Sequence, residues 1–165
     1  MKIGVPKEIL PGETRVAASP DSVKKFTALG VEMIIQSGAG EAASISDDML
    51  KEAGARIVSD AASLYAEADM IFKVGGPCCN DNGSVDELAM IKPDAILIGL
   101  LNPLHRQDQA EAYAKHGLTS FAMELIPRIS RAQSMDVLSS QSNISGYKAV
   151  IDAAETLGKI LPMMM

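Results

Sequence analysis

The sequence predicts an α/β protein: a doubly wound, mostly parallel sheet with helices on both faces. Two observations carry this reading. Short apolar runs alternate with amphipathic segments that open on capping residues and close near glycine, a strand–helix–strand rhythm repeated about five times. The run Ala95 to Leu100 is apolar at nearly every position, as expected of a central parallel strand covered on both faces. Right-handed crossovers then make the sheet doubly wound. Composition permits it: the 165 residues are 47% hydrophobic and 22% charged, which excludes bulk disorder. A chain of this length buries roughly two-thirds of its extended surface and needs no metal or disulfide to fold.

Taken in order, Lys2 to Pro6 reads as the first strand. Ser19-Pro20-Asp21 starts a helix with a capping hydroxyl, a proline at the first helical position and an acid near the positive dipole end. Val23, Phe26 and Leu29 form its apolar stripe, and Gly30 closes it. Glu32 to Gln36 is the second strand; Ser46-Asp47-Asp48 caps a short helix ended by Gly54; Arg56 to Val58 is the third. A short helix over Asp60 to Ala66 leads to a strand at Met70 to Val74. Ser84-Val85-Asp86-Glu87 reads as a capping box. After Ala95 to Leu100, a helix through Gln109 to Lys115 ends at Gly117, and Thr119 to Ala122 is the last strand. Ile144, Tyr147, Val150, Ile151, Ala154 and Leu157 recur at helical spacing along a final long helix. No internal repeat or interior linker interrupts the order, so residues 1–139 are expected to form one domain, with 140–165 a helix leading out of it.

Several function classes are excluded at this stage. Fifteen Lys and Arg against 21 Asp and Glu give a net charge of −6, which repels nucleic acid and anionic membrane surfaces. Six aromatics and no Trp do not supply a base-stacking platform. The longest apolar stretch, Ala95 to Leu101, is far short of the ~20 residues of a membrane span. The first residues lack the long apolar core of a secretory signal. Cys78 and Cys79 are adjacent, an unfavourable geometry for a mutual disulfide and only half of a zinc site, so a reducing compartment is expected. His105 and His116 lack a third partner at metal-ligand spacing; no metal site is expected, and no G-x-S-x-G or H-E-x-x-H is present.

In a doubly wound sheet, ligands sit outside the carboxyl ends of the strands. Three features lie there. Gly38-Ala39-Gly40-Glu41-Ala42-Ala43 fits the dinucleotide glycine pattern, with Asp60 at about the right distance. Its cap signals restart only at Ser46, however, so a permissive glycine turn is the competing reading. Arg15 lies between the first strand and the first helix, and Lys73 sits at the end of the strand Met70 to Val74; they either clamp a carboxylate together or are, respectively, a solvated cation and a lysine paired with an acid. The third feature is the stretch after the last strand. Arg128, Gln133, Asp136 and Ser139 offer the donors and acceptors that a ribose and a carboxamide require, with Ile129, Met135 and Val137 available as anchors. A polar surface loop ending in a serine cap has the same residue types.

The run Arg128 to Gln141 closely resembles the Arg-, Gln- and Asp-rich loop of the proton-translocating nicotinamide nucleotide transhydrogenases, in the N-terminal domain of the alpha subunit. Lys2 to Glu8, Gly12 to Ala17, Gly38-Ala39-Gly40 and Gln141 to Tyr147 also match, and the opening segments are shared with alanine dehydrogenases. The resemblance covers essentially the whole chain. It implies a flavodoxin- or Rossmann-like fold without its own dinucleotide fingerprint. It further implies NAD(H) held by a neighbouring NAD-binding domain of the same subunit, NADP(H) on a domain of the beta subunit, and hydride transfer between them coupled to proton translocation. Residue by residue, Arg128 would hold the carboxamide region, Gln133 would bridge ribose groups, Asp136 and Ser139 would orient the ring, and Arg131 belongs to the same cofactor-binding set. No residue of this chain is expected to be a catalytic acid or base. A homodimer, peripheral on the cytoplasmic side of the inner membrane and soluble as a fragment, is implied as well. Relatives continue past residue 165 into the NAD-binding domain, so this chain alone is expected to bind NADH weakly and transfer no hydride.

The alternative within this relationship is the substrate-binding half of an alanine dehydrogenase, where the counterparts of Arg15 and Lys73 bind the keto-acid carboxylate. Its catalytic histidine should follow the Ala95 to Leu100 strand, where Asn102 stands instead and cannot serve as a general acid or base. A third reading, from another class, is a non-catalytic binding module.

Overall fold

The computed structural model describes residues 1–78 and 85–159. In chain order the elements are β1 (Lys2–Val5), α1 (Pro20–Ala28), β2 (Glu32–Gln36), α2 (Asp47–Glu52), β3 (Arg56–Val58), α3 (Ala61–Glu67) and β4 (Met70–Gly75). They continue with α4 (Glu87–Met90), β5 (Ile96–Leu100), α5 (Gln107–His116), β6 (Thr119–Ala122) and α6 (Val137–Leu157). The strands form one sheet in the order β3-β2-β1-β4-β5-β6, every neighbouring pair parallel. The order reverses between β1 and β4, which makes their carboxyl ends the switch point of the sheet.

Local chemistry explains the element ends. Ser19 and Ser22 form a reciprocal capping box on α1, Ser46 caps α2, and Asp60 caps α3 through the Ser63 N–H. Gly117 ends α5 with φ +87°, a conformation that glycine adopts without strain. In β2, Ile34 points into one core while Met33 and Ile35 point into the other, the period-2 signature of a strand covered on both faces. One core joins Leu64, Tyr65 and Ala68 to Ile71, Leu97 and Tyr113. The other joins Val23 and Leu50 to Ile3 and Val5. At the opposite end of the strands, Arg56 bridges Glu32 and Glu67, Lys2 adds a second contact to Glu67, and Lys92 pairs with Asp69.

Two expectations need correction. Ala95 to Leu100 is not the centre of the sheet: β5 lies next to the edge strand, and Ala95, Leu97 and Gly99 are buried while Ile96, Ile98 and Leu100 are half-buried. The most deeply covered strands are β1 and β2, shorter runs whose neighbours on both sides shield them. Glu87 is not the reciprocal member of a capping box. Asp86 caps α4 through the Ala89 N–H, Glu87 is buried, and Ser84 lies outside the described residues. The chain divides into two compact units, Met1–Met123 and Glu124–Met165. The loop carrying Arg128 to Ser139 therefore belongs with α6.

Gly4 is a tight packing constraint in the sheet. A Cβ there would lie 2.7 Å from Leu64 Cδ2 and 2.8 Å from Ala68 Cβ, so α3 approaches β1 only because the position lacks a side chain. Gly4→Ala is expected to destabilise the fold by about 1–3 kcal/mol through overpacking, measured as a lowered urea midpoint with an unchanged slope.

Candidate functional site

The loop after β6 folds into a site within the second unit. Ser130–Met135 is a 3₁₀ helix, and Asp136 is the N-cap of α6, which follows immediately. Ala132 is the buried residue of this turn. Ile129 and Met135, expected as anchors, are both more than half exposed, 55% and 53%. The small side chain in the middle of the turn lets the backbone pack closely, and the larger neighbours are left outside.

Arg128, Ile129, Ser130, Gln133 and Asp136 line a cleft of about 230 Å³. That is below the ~300–1,000 Å³ of a whole small-molecule pocket and fits one end of an extended ligand. Asp136 Oδ1 accepts the Ser139 N–H at 3.0 Å, and its Oδ2 accepts the Ser139 hydroxyl at 2.7 Å. Arg128 Nη2 donates to Ser139 Oγ at 3.4 Å, and Arg128 Nε lies 3.7 Å from Asp136 Oδ2. The Ser139 N–H, the Ser139 hydroxyl and the Arg128 charge together hold the Asp136 carboxyl below the usual range. Four of the five expected cofactor residues thus come together: Arg128, Gln133 and Asp136 on the cleft, and Ser139 behind Asp136. Arg131 sits on the same turn, exposed, but does not line the cleft. The cleft offers a guanidinium and an amide beside a carboxylate, a donor and acceptor set matched to a carboxamide or a sugar hydroxyl.

The glycine pattern at Gly38 builds something else. Residues Glu41–Ala43 make a single 3₁₀ turn that ends at Ser44 with φ +60°, and α2 begins only at Asp47. Asp47 accepts the Gly38 N–H at 2.9 Å and the Ser37 hydroxyl at 2.7 Å, so an internal carboxylate occupies the donor that a phosphate would need. A Cβ on Gly40 would lie 2.6 Å from the Ile45 carbonyl oxygen, so this glycine serves the chain's own packing. The competing reading of a glycine turn is the one the geometry supports.

Arg15 and Lys73 are each engaged by acids. Lys73 Nζ lies 2.8 Å from Glu87 Oε1 and 3.4 Å from Glu8 Oε2, with all three side chains nearly inaccessible. Glu87 also accepts the Tyr65 hydroxyl at 2.7 Å and the Cys78 N–H at 2.9 Å, and Glu8 Oε1 accepts the Val74 N–H at 2.6 Å. Burial first, and then the Glu87 charge, pushes the Tyr65 hydroxyl far above its ordinary value. Arg15 pairs with Glu13 at 2.6 Å beside a small cleft shared by Glu8, Gly38 and Glu41. The two acids on Lys73 come from far along the chain, and no local spacing signals them.

His116 Nε2 lies 2.6 Å from the Ile91 carbonyl oxygen, a structural contact at the end of α5. Among the described residues no group of three His, Cys, Asp or Glu side chains could hold a metal ion. None of the described helices is long and apolar enough to cross a membrane. Cys78 is a free thiol; Cys79 lies outside the described residues.

Two consequences can be measured. Lys73→Met leaves two buried carboxylates without their cation and is expected to cost about 3–5 kcal/mol in urea unfolding, with some of that recovered by adding Glu87→Gln. The Arg15 hydrogen bonds hold the Glu13 carboxyl down from 4.5 to about 2. A carboxyl lowered on folding contributes stability above its unfolded value and loses it as pH falls toward the folded one. Glu13→Gln is therefore expected to flatten the fall of Tm between about pH 4.5 and about pH 2.

Comparison with known proteins identifies the family. The family described as alanine dehydrogenase/PNT, N-terminal domain, matches residues 4–145. An NAD(P) transhydrogenase alpha-subunit chain of Rhodospirillum rubrum is 53% identical over 165 residues, covering 100% of this chain and 43% of that protein. The solved transhydrogenase from Sinorhizobium meliloti superposes with a TM-score of 0.91 at 44% identity, covering 100% of this chain and 45% of that one. The alanine dehydrogenase of Halomonas elongata is more distant, 32% identical over 159 residues, covering 96% of this chain and 41% of that protein. This chain thus spans less than half the length of these relatives. It belongs to the alanine dehydrogenase/PNT N-terminal domain family and stands nearer to the transhydrogenase alpha subunits than to the alanine dehydrogenases.

Proposed function

We propose that residues 128–139 form the portion of a proton-translocating NAD(P) transhydrogenase that reaches over the nicotinamide end of NAD(H). The observation that carries this reading is the cleft lined by Arg128, Gln133 and Asp136, backed by Ser139. A bound nicotinamide dinucleotide supplies the hydride chemistry. What this chain supplies is position: a guanidinium for the carboxamide region, an amide for ribose hydroxyls, and a capped turn that holds both in register. No proton acid or base is assigned to the chain. Arg131 completes the set as an exposed cation facing the nucleotide or the domain that carries it.

In this reading the adenine and phosphate portions of NAD(H) rest on an NAD-binding domain of the same subunit. An NADP(H)-binding domain of the beta subunit docks over the loop, the assembly contains two copies of the alpha subunit, and the complex lies at the cytoplasmic face of a membrane. The surface of α6 supports a neighbouring domain: none of its residues is buried, and Ile144, Tyr147 and Val150 are exposed along it. Apolar area of that kind on a helix marks an interface. The alanine dehydrogenase reading is disfavoured because Glu8 and Glu87 already neutralise Lys73.

Titration of the chain with NADH, followed by amide and side-chain NMR signals, tests the assignment. Weak, fast-exchange shifts are expected at Arg128, Arg131, Gln133, Asp136 and Ser139. Shifts centred instead on Gly38 to Ala43, or on Arg15, would displace the proposed site.

A further inference from the structure

We infer that the Ser145–Gly146 pair is a flexible joint in the middle of α6. No packing demand within the described residues explains the glycine: a Cβ at position 146 would meet nothing within 4 Å. No backbone demand explains it either, because the residue lies inside an unbroken helix and outside the left-handed region. A glycine there weakens a helix through the entropy lost on ordering it. A serine–glycine pair is also one of the few places where α-helices bend sharply.

The two sides of the pair are unequal. Before it, Ser139, Ser140, Ser142 and Asn143 are weak helix formers whose side chains compete for backbone hydrogen bonds. That half is held at its start by the Asp136 cap. After it, Ala149, Ala153, Ala154 and Leu157 favour the helix, and Lys148 pairs with Asp152 at 2.6 Å one turn on. Packing does not compensate: none of the residues of α6 is buried, whereas tertiary packing supplies most of the stability of an ordinary helix. A bend is therefore resisted mainly by the few hydrogen bonds that cross residues 145–146.

The use of the joint rests on the transhydrogenase reading. The loop of residues 128–136 sits at the start of α6, and Val150, Ile151 and Leu157 are exposed beyond the joint, on the half assigned to a neighbouring domain. From Val137 to Gly146 the helix is about 14 Å long, so a bend of about 20° moves the loop by roughly 5 Å. Hydrogen bonds to a nicotinamide hold at ~3 Å, and a shift of that size makes or breaks them. The loop thereby approaches and releases a nucleotide held by the neighbour while its own cap and 3₁₀ turn stay folded.

Residual dipolar couplings of the backbone amides test the joint in the 165-residue chain. Residues 138–145 and 148–157 are expected to require two separate alignment fits. Gly146→Ala, which installs the better helix former, is expected to merge them into one and to raise hydrogen-exchange protection of amides 147–150 about five-fold. Adding Ala149→Gly to Gly146→Ala moves the glycine about one turn, and the boundary between the two fits is expected to move with it. A single fit for the wild-type helix overturns the joint, as does a boundary that stays at 145–146 in the double variant. NADH titration is read separately: a wild-type chain without shifts at Arg128 and Gln133 overturns the use assigned to the joint, whereas the couplings alone decide whether it bends.

Discussion

Lys73 is a desolvated ammonium set between carboxylates from two distant stretches of chain, and the switch point of the sheet is built around it. β1 and β4 are in register at Ile3–Met70 and Gly4–Ile71. Three residues further along β4, the Val74 N–H donates to the Glu8 carboxylate. Glu87 gathers Tyr65, Lys73 and the Cys78 N–H onto one carboxylate, joining α3, β4 and α4. Taking these charges out of water is costly, and only their mutual contacts make the arrangement tenable. A crevice organised this way is occupied by the chain's own groups. What remains open there is a small cleft between Arg15, Glu13, Glu8 and Glu41.

The nucleotide contacts proposed above belong to the second unit. There a 3₁₀ turn, a cap and a long helix form a device of their own. Its components are individually modest: long contacts from Arg128, exposed cations, one small cleft. Such a surface suits a ligand that is gripped mainly elsewhere and only oriented here, because orientation needs directed donors and not a deep enclosure. The unburied apolar residues of α6 fit the same picture of a piece that works against a neighbour.

The turn at Gly38 to Ala43 shows how a motif and its physical meaning separate. The glycines fall in the dinucleotide pattern, and a strand precedes them, yet the helix whose amino end should face a phosphate starts only at Asp47. Asp47 then supplies the anion from within. Gly40 is required by the Ile45 carbonyl, a contact that pattern matching cannot distinguish from room for a ligand.

The sequence by itself determined the element order, several strand bounds and the loop of interest. Strand and helix periods, capping hydroxyls and glycine stops act over a few residues, so they are legible locally. Glu32–Gln36, Arg56–Val58 and Thr119–Ala122 fall where the local pattern places them, and Arg128, Gln133 and Asp136 converge on one cleft because they are neighbours along the chain. Only the tertiary structure decided which strand is central, where the chain divides, and what Lys73 and Glu87 are for. Those outcomes depend on residues 14 to 66 positions apart meeting in a low-dielectric interior. There the cost of leaving a charge alone, and not any local preference, selects the partner.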